Sequence, residues 1–130
     1  MVTFFDKARG RDVIVTPEED VRQNFIKYLV DELGYPHNVM RIERKIINEM
    51  QEGIRRPDIV IYNKHGLPCV VVECKAKGVK VCEDTALQVM NYNKHICAEY
   101  IIITNGRETY CWRLVENKYI ASNIPRFDSL

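Results

Sequence analysis

The chain has 130 residues, of which 46% are apolar and 28% are charged, and its 19 Lys and Arg residues nearly balance its 18 Asp and Glu residues. A chain of this length is expected to form one domain, over residues 1–130, that folds without disulfides or structural metals. The net charge of +1 excludes a strongly basic protein of the histone kind, so any contact with nucleic acid must use a local basic surface.

Several other classes of protein are excluded by simple patterns. No segment approaches 18 consecutive apolar residues and the first residues do not resemble a signal peptide, so we expect neither a membrane span nor secretion. The five cysteines contain no C-x-x-C pair, which argues against a disulfide framework or a zinc site and favours a cytoplasmic location. The chain contains no P-loop sequence, and we therefore expect no ATP motor within it.

The first clear element is a helix that begins after Thr16. This residue precedes Pro17 and stands three residues before Glu19, which is the pattern of a capping box. Apolar residues then recur at helical spacing until Gly34, which is predicted to end the helix. The segment 39–47 fits a strand best.

The middle and the end of the chain predict a sheet that is covered by helices on both faces. Two β-branched, apolar runs, 58–62 and 69–73, flank a polar segment and read as a hairpin. Both runs are apolar on both faces, as in a sheet buried between two layers. A helix over residues 83–97 and strands over 100–104, 109–115 and 119–121 complete the pattern. The predicted fold class is therefore α/β, with a mixed sheet between helices.

Two carboxylates occupy unexpected places in this hairpin, since Asp58 opens the first run and Glu73 closes the second. If the hairpin turns at residues 65–66, so that Lys64 faces Leu67, the numbers of paired residues sum to 131. Asp58 then lies opposite Glu73, with Cβ atoms about 4.5–5.5 Å apart. Because like charges at this distance repel, a divalent cation between them is the natural compensation, and Mg²⁺ prefers such oxygen ligands.

Lys75 follows Glu73 by two residues, so on a strand its side chain projects from the same face. An ammonium group there would orient an attacking water beside the metal. The alternative interpretation is purely structural: Asp58 caps a turn, and Glu73 with Lys75 forms a surface ion pair. The buried runs on both sides of the hairpin favour the metal site.

These residues also carry a resemblance to a known family. Pro57-Asp58 followed by Glu73-Cys74-Lys75 resembles the motif of the PD-(D/E)xK nuclease superfamily, and Gln88 with Tyr92 resembles the Q-x-x-x-Y motif of its RecB-like branch. With three further segments, the ensemble over about residues 16–114 is similar to the N-terminal nuclease domain of type I restriction enzyme R subunits. These segments are Pro17-Glu18-Glu19, Val21-Arg22-Gln23 and Thr104-Asn105-Gly106.

The resemblance implies a restriction-endonuclease-like fold and a magnesium site, in which Mn²⁺ could substitute. Asp58, Glu73 and the main-chain carbonyl of Cys74 would bind the metal, and Lys75 would position the water. The resemblance places Gln88 and Tyr92 beside this site, in contact with DNA or with the lysine. A simpler interpretation of that pair, with Tyr92 in the core and Gln88 in solvent, stays open.

Glu19 has two equally good interpretations. It matches the position at which a glutamate of the first helix completes the metal site in many members of the superfamily. Its place in the capping box explains it as well, without any metal.

The basic residues are concentrated near the proposed metal ligands. Six of them lie between residues 55 and 80 against two acidic residues, so this window has a charge of +4 and the remainder −3. A basic rim of this kind suits a phosphodiester backbone, and Arg56 and Lys77 are its predicted DNA contacts.

We therefore expect a Mg²⁺-dependent endonuclease domain that hydrolyses DNA. Motor and specificity subunits of a restriction system are its possible partners. The alternatives are a nucleic-acid-binding module of the same fold with little or no catalysis, and a nuclease that acts on RNA.

Overall fold

The computed structural model describes residues 3–7, 10–14, 16–42 and 57–130. These residues form two sheets and two long helices, in the order β1 (Thr3–Asp6), β2 (Arg11–Ile14), α1 (Pro17–Leu33), β3 (Met40–Ile42), β4 (Ile59–Tyr62), β5 (Pro68–Cys74), α2 (Glu83–Ile96), β6 (Tyr100–Thr104), β7 (Thr109–Val115) and β8 (Lys118–Ala121). Short 3₁₀ turns lie at His37–Val39 and Phe127–Ser129. Neither long helix in this part of the chain has the length and apolar character needed to cross a membrane.

The main sheet has six strands in the order β3-β4-β5-β6-β7-β8. Strands β5 and β6 are parallel and are connected through α2, whereas all the other neighbours are antiparallel. This mixed sheet confirms the predicted α/β class and is that of a restriction-endonuclease-like fold. The sequence did not predict the separate hairpin of β1 and β2, whose short strands carry no clear alternation of apolar and polar residues.

The two faces of the sheet bury separate apolar clusters. Val70 and Val72 of β5 pack in a cluster with α1 residues such as Leu29, whereas Val71 packs in a second cluster with Val89 of α2. Successive side chains of a strand point to opposite faces, so a run of valines is buried only when both faces are covered. The prediction of a sheet between two helical layers is confirmed.

Helix α1 begins and ends where its capping residues predict. Thr16 is the N-cap, and its hydroxyl accepts a hydrogen bond of 3.0 Å from the backbone N–H of Glu19. Gly34 ends the helix in the left-handed conformation, with φ of 75°, which glycine adopts without steric cost. The strand predicted at 39–47 is present as Met40–Ile42, and its remaining residues lie outside the described part of the chain.

The hairpin of β4 and β5 differs from the prediction in its loop but not in its register. Asn63 pairs with Leu67 through a backbone hydrogen bond of 2.9 Å, so the loop has three residues rather than two. A β-bulge at Cys69 compensates, because Tyr62 pairs with Pro68 while Ile61 pairs with Val70. Beyond the bulge the paired numbers again sum to 131, as in the pair of Ile59 with Val72.

Candidate active site

The restored register brings two buried carboxylates together at the end of the hairpin opposite to the loop. Asp58 directly precedes β4 and is 1% exposed, and Glu73 near the end of β5 is 6% exposed. The pair of Ile59 with Val72 is the last of the regular ladder, and Asp58 and Glu73 are the next residues on each strand. The predicted proximity of the two carboxylates is therefore present in the structure.

A third carboxylate reaches this pair from the first turn of α1. Ligand oxygens of Glu18, Asp58 and Glu73 all lie within 4.8 Å of one another. The side chain of Glu18 is 30% exposed, so the group of three opens to solvent on the α1 side. Glu18 is not predicted as a ligand from the sequence, because it and its neighbour Glu19 are both acidic residues of the first turn of α1.

Glu19 points to a different set of partners. One of its carboxylate oxygens accepts a hydrogen bond from Arg22, and the other accepts one of 3.1 Å from the side-chain amide of Gln23. Its backbone N–H serves the predicted capping interaction with Thr16. The structure thus places Glu18, rather than Glu19, beside Asp58 and Glu73.

Arg22 is a buried cation among these acidic residues, and its role is not predicted from the sequence. Its Nη2 donates to Glu18 at 2.9 Å and to Asp58 at 3.0 Å, and its Nη1 donates to Glu19. Burial acts to lower the pKa of Arg22, but the charges of Asp58 and Glu19 outweigh it, and the pKa is raised above its ordinary value. The guanidinium is therefore a permanent positive charge inside the site.

Asp58 is held in position from two sides. One oxygen accepts the hydrogen bond from Arg22, and the other accepts one of 2.7 Å from the backbone N–H of Cys74. The side chain of Cys74 belongs to the apolar cluster under α1, and burial raises the pKa of its thiol well above the ordinary value. A thiol in this state is a poor nucleophile. The expected contribution of the Cys74 carbonyl to a metal site stays a prediction.

Glu73 is anchored by the second helix. The hydroxyl of Tyr92 donates a hydrogen bond to its Oε2. Burial and the neighbouring charge of Asp58 raise the pKa of Glu73 to about 8, while Tyr92 and Lys75 act in the opposite direction. Without a cation, Glu73 is therefore largely protonated near neutral pH.

Of the predicted pair on α2, Tyr92 reaches the site directly and Gln88 lies one turn before it with an exposed side chain. Tyr92 is partly buried, so the simpler interpretation of a core tyrosine describes its ring but not its hydroxyl, which bonds to Glu73. DNA contact by either residue stays a prediction.

Lys75 lies just beyond β5, where its backbone N–H continues the pairing with β6 by donating to Thr104 at 2.9 Å. Its side chain is partly buried, and its charge lowers the pKa of Glu73, as expected for an ammonium beside that carboxylate. Lys77 follows in the exposed loop before α2.

The predicted basic rim is smaller in the structure than in the sequence. Lys64 lies in the hairpin loop, at the opposite end of β4 from Asp58, because four strand residues separate the two positions. A count of charges along the chain does not take into account that the hairpin reverses the direction of the chain. Arg56, the other predicted DNA contact, lies outside the described residues.

The donor set suits a hard divalent cation. Glu18, Asp58 and Glu73 offer carboxylate oxygens alone, and such ligands favour Mg²⁺, Ca²⁺ or Mn²⁺ over zinc or copper. These three carboxylates and Glu19, which pairs with Arg22, make four negative charges, and among the described residues two cations, Arg22 and Lys75, accompany them. A divalent ion would neutralise the remaining negative charge.

Comparison with known proteins places the chain in a family. Residues 17–127 match the family described as the type I restriction enzyme R protein N terminus (HSDR_N). The chain belongs to this family. The match extends from the first turn of α1 to the 3₁₀ turn at Phe127–Ser129, so it includes every described residue of the candidate site. No curated protein and no solved structure matched the chain.

Proposed function

We propose that the chain is a Mg²⁺-dependent endonuclease domain, of the PD-(D/E)xK type, that hydrolyses DNA phosphodiester bonds. The observation that carries the proposal is the group of three carboxylates from Glu18, Asp58 and Glu73, with Lys75 beside it. Membership of the HSDR_N family supports it, because a restriction enzyme acts on DNA.

The proposed metal ligands are Asp58, Glu73 and the carbonyl of Cys74, with Glu18 as a further ligand from α1. Mn²⁺ would substitute for Mg²⁺, since both accept oxygen ligands. When bound, the ion supplies an acidified water and neutralises charge on the phosphate.

The side chains of this chain supply position and fixed charge. Arg22 and the N–H of Cys74 hold Asp58, and Tyr92 holds Glu73, so both carboxylates are oriented before any substrate arrives. The ammonium of Lys75 would donate hydrogen bonds to the attacking water or to a phosphate oxygen, where negative charge develops.

DNA binding would rest mainly on contacts with the phosphate backbone. Lys77 in the exposed loop after β5, Arg56 before Asp58, and Gln88 with Tyr92 on α2 are the proposed contacts. Such contacts give affinity without sequence preference. Translocation and sequence choice would then come from motor and specificity subunits of a restriction system.

Cleavage of supercoiled plasmid in Mg²⁺ or Mn²⁺ tests this function. We expect Asp58→Ala and Lys75→Ala to lower the rate by about 10²–10⁴-fold, the range for loss of a positioned catalytic group. Lys64→Ala is the matched control, because it removes the same charge from the far end of the hairpin and should cleave as the wild type does. Equal rates in all four proteins would refute the proposal.

Two other results would favour a different function for the same site. Metal-independent binding of DNA without cleavage in any divalent ion would favour the alternative of a binding module. Cleavage of an RNA oligonucleotide in preference to the matching DNA would show that the substrate is RNA. In either case the variant series would still report whether Asp58 and Lys75 take part.

A further inference from the structure

Arg22 pairs with two of the three carboxylates that form the candidate metal site. Its Nη2 lies within hydrogen-bond distance of both Glu18 and Asp58, at 2.9 and 3.0 Å. Ligand oxygens of these same two residues and of Glu73 lie within 4.8 Å of one another. Glu18 and Asp58 therefore belong both to the ion pairs of Arg22 and to the group of three carboxylates.

In hydrolases that use two metals, a pair of ions about 3.5–4 Å apart shares bridging carboxylates and clamps the attacking and leaving oxygens. Asp58 is the natural bridging ligand here, because it is the most buried carboxylate of the group. On its α1 side, however, its Oδ1 already accepts from Arg22. A second ion that used Glu18 and Asp58 would have to compete with the guanidinium for their oxygens.

The placement of Arg22 is fixed by the helix that carries it. Glu18 and Glu19 precede it by four and three residues, so each of the two side chains can reach Arg22 along the surface of α1. The side chain of Arg22 is only 7% exposed, and its Nε is buried without a hydrogen-bond partner in the described part of the chain. The charge-assisted hydrogen bonds from its two Nη atoms to three carboxylates hold the group in place.

We propose that the site binds a single divalent cation, because Arg22 permanently fills the second cation position. This inference rests on the metal site of the proposed function and specifies its stoichiometry. Arg22 is then a positioning residue, which holds Glu18 and Asp58 towards the ion without touching the substrate. The position bounded by Glu18, Asp58 and Glu73 is the one left for the ion.

Titration of the full chain with Mn²⁺, followed by calorimetry and by electron paramagnetic resonance, tests this inference without any measurement of activity. We expect one Mn²⁺ per wild-type chain and an uncoupled resonance signal. Two ions per chain with spin coupling would overturn the inference and leave the nuclease proposal intact. No binding at all would instead remove the metal site, and with it the proposed function.

Variants of Arg22 separate its charge from its size. Arg22→Met removes the charge with little change in side-chain length, and we expect the number of bound Mn²⁺ ions to rise from one to two. Arg22→Lys keeps the charge and should bind one, as should the matched control Lys27→Met, which removes a charge from an exposed position of the same helix. One ion in Arg22→Met, in a protein folded by circular dichroism, would overturn the inference. If that variant does not fold, the wild-type and Arg22→Lys stoichiometries decide.

Discussion

The raised pKa of Glu73 predicts that metal binding is coupled to proton release. Burial and the adjacent Asp58 raise this pKa from its ordinary value of 4.5 to about 8. A bound cation needs the ionised carboxylate, so it must displace the proton. In the metal-free protein, the folded state holds the proton of Glu73 more tightly than the unfolded state does. The free energy of unfolding of the metal-free protein should therefore fall as pH rises from about 4.5 to about 8, whereas metal binding strengthens over the same range.

The size of the effect follows from the pKa. With a value of about 8, roughly nine in ten Glu73 side chains are protonated at pH 7 and roughly one in ten at pH 9. The apparent Kd for Mn²⁺ should therefore decrease about ninefold between pH 6 and 7 and about fivefold between pH 7 and 8, and level off above. Binding at pH 7 should release about 0.9 proton, and binding at pH 9 about 0.1.

Calorimetric titration with Mn²⁺ in two buffers of different ionisation enthalpy measures both quantities. Tyr92→Phe removes a hydrogen bond that lowers the pKa of Glu73, so it should weaken binding at pH 7 more than at pH 9. Tyr28→Phe, which changes an exposed tyrosine on α1, is the control and should leave binding unchanged. A Kd that does not vary between pH 6 and pH 8, with no proton released, would refute the reasoning.

Three further predictions concern stability. Asn93→Ala removes three hydrogen bonds of a buried side chain and should lower the free energy of unfolding by about 2–3 kcal/mol in urea, whereas Asn91→Ala, at an exposed position of the same helix, should change it by less than about 0.5 kcal/mol. Thr16→Val removes the N-cap of α1 and should cost about 1 kcal/mol, measured in the same way. Gly106→Ala places a side chain at φ of 86° and should cost about 1–2 kcal/mol by thermal unfolding, whereas Gly78→Ala, without positive φ and in open space, should not destabilise.

The hairpin shows which part of a register can be predicted from sequence. The pairing of Ile59 with Val72 agrees with the alignment predicted from a two-residue loop, whereas the apolar pattern alone does not select it, because both strands are apolar on both faces. The loop was less predictable, because the side chain of Asn63 accepts hydrogen bonds from two backbone N–H groups and thereby favours three loop residues over two. The bulge at Cys69 absorbs the extra residue, so the wrong loop gave the right alignment.

The first helix shows where sequence patterns stop being informative about the site. Glu18 and Glu19 are neighbours in the first turn, and both fit an acidic helix start. They point about 100° apart, and only the packing of α1 against β5 decides which one approaches Asp58. The role of Arg22 could not be predicted from the sequence either, since an arginine within a helix is usually exposed to solvent.

The distribution of charge around the site also depends on the fold, which a count of charges along the sequence does not take into account. The basic window of residues 55–80 includes a hairpin that reverses direction, so Lys64 lies at the far end of β4 from Asp58, while Lys75 and Lys77 follow Glu73 at the end of β5. At the site itself the described side chains are mainly acidic, and the buried Arg22 offsets only part of that charge. A phosphate backbone would be repelled by the carboxylates alone. DNA binding at this site should therefore depend on the divalent cation, which turns a locally negative surface into one that accepts a phosphate.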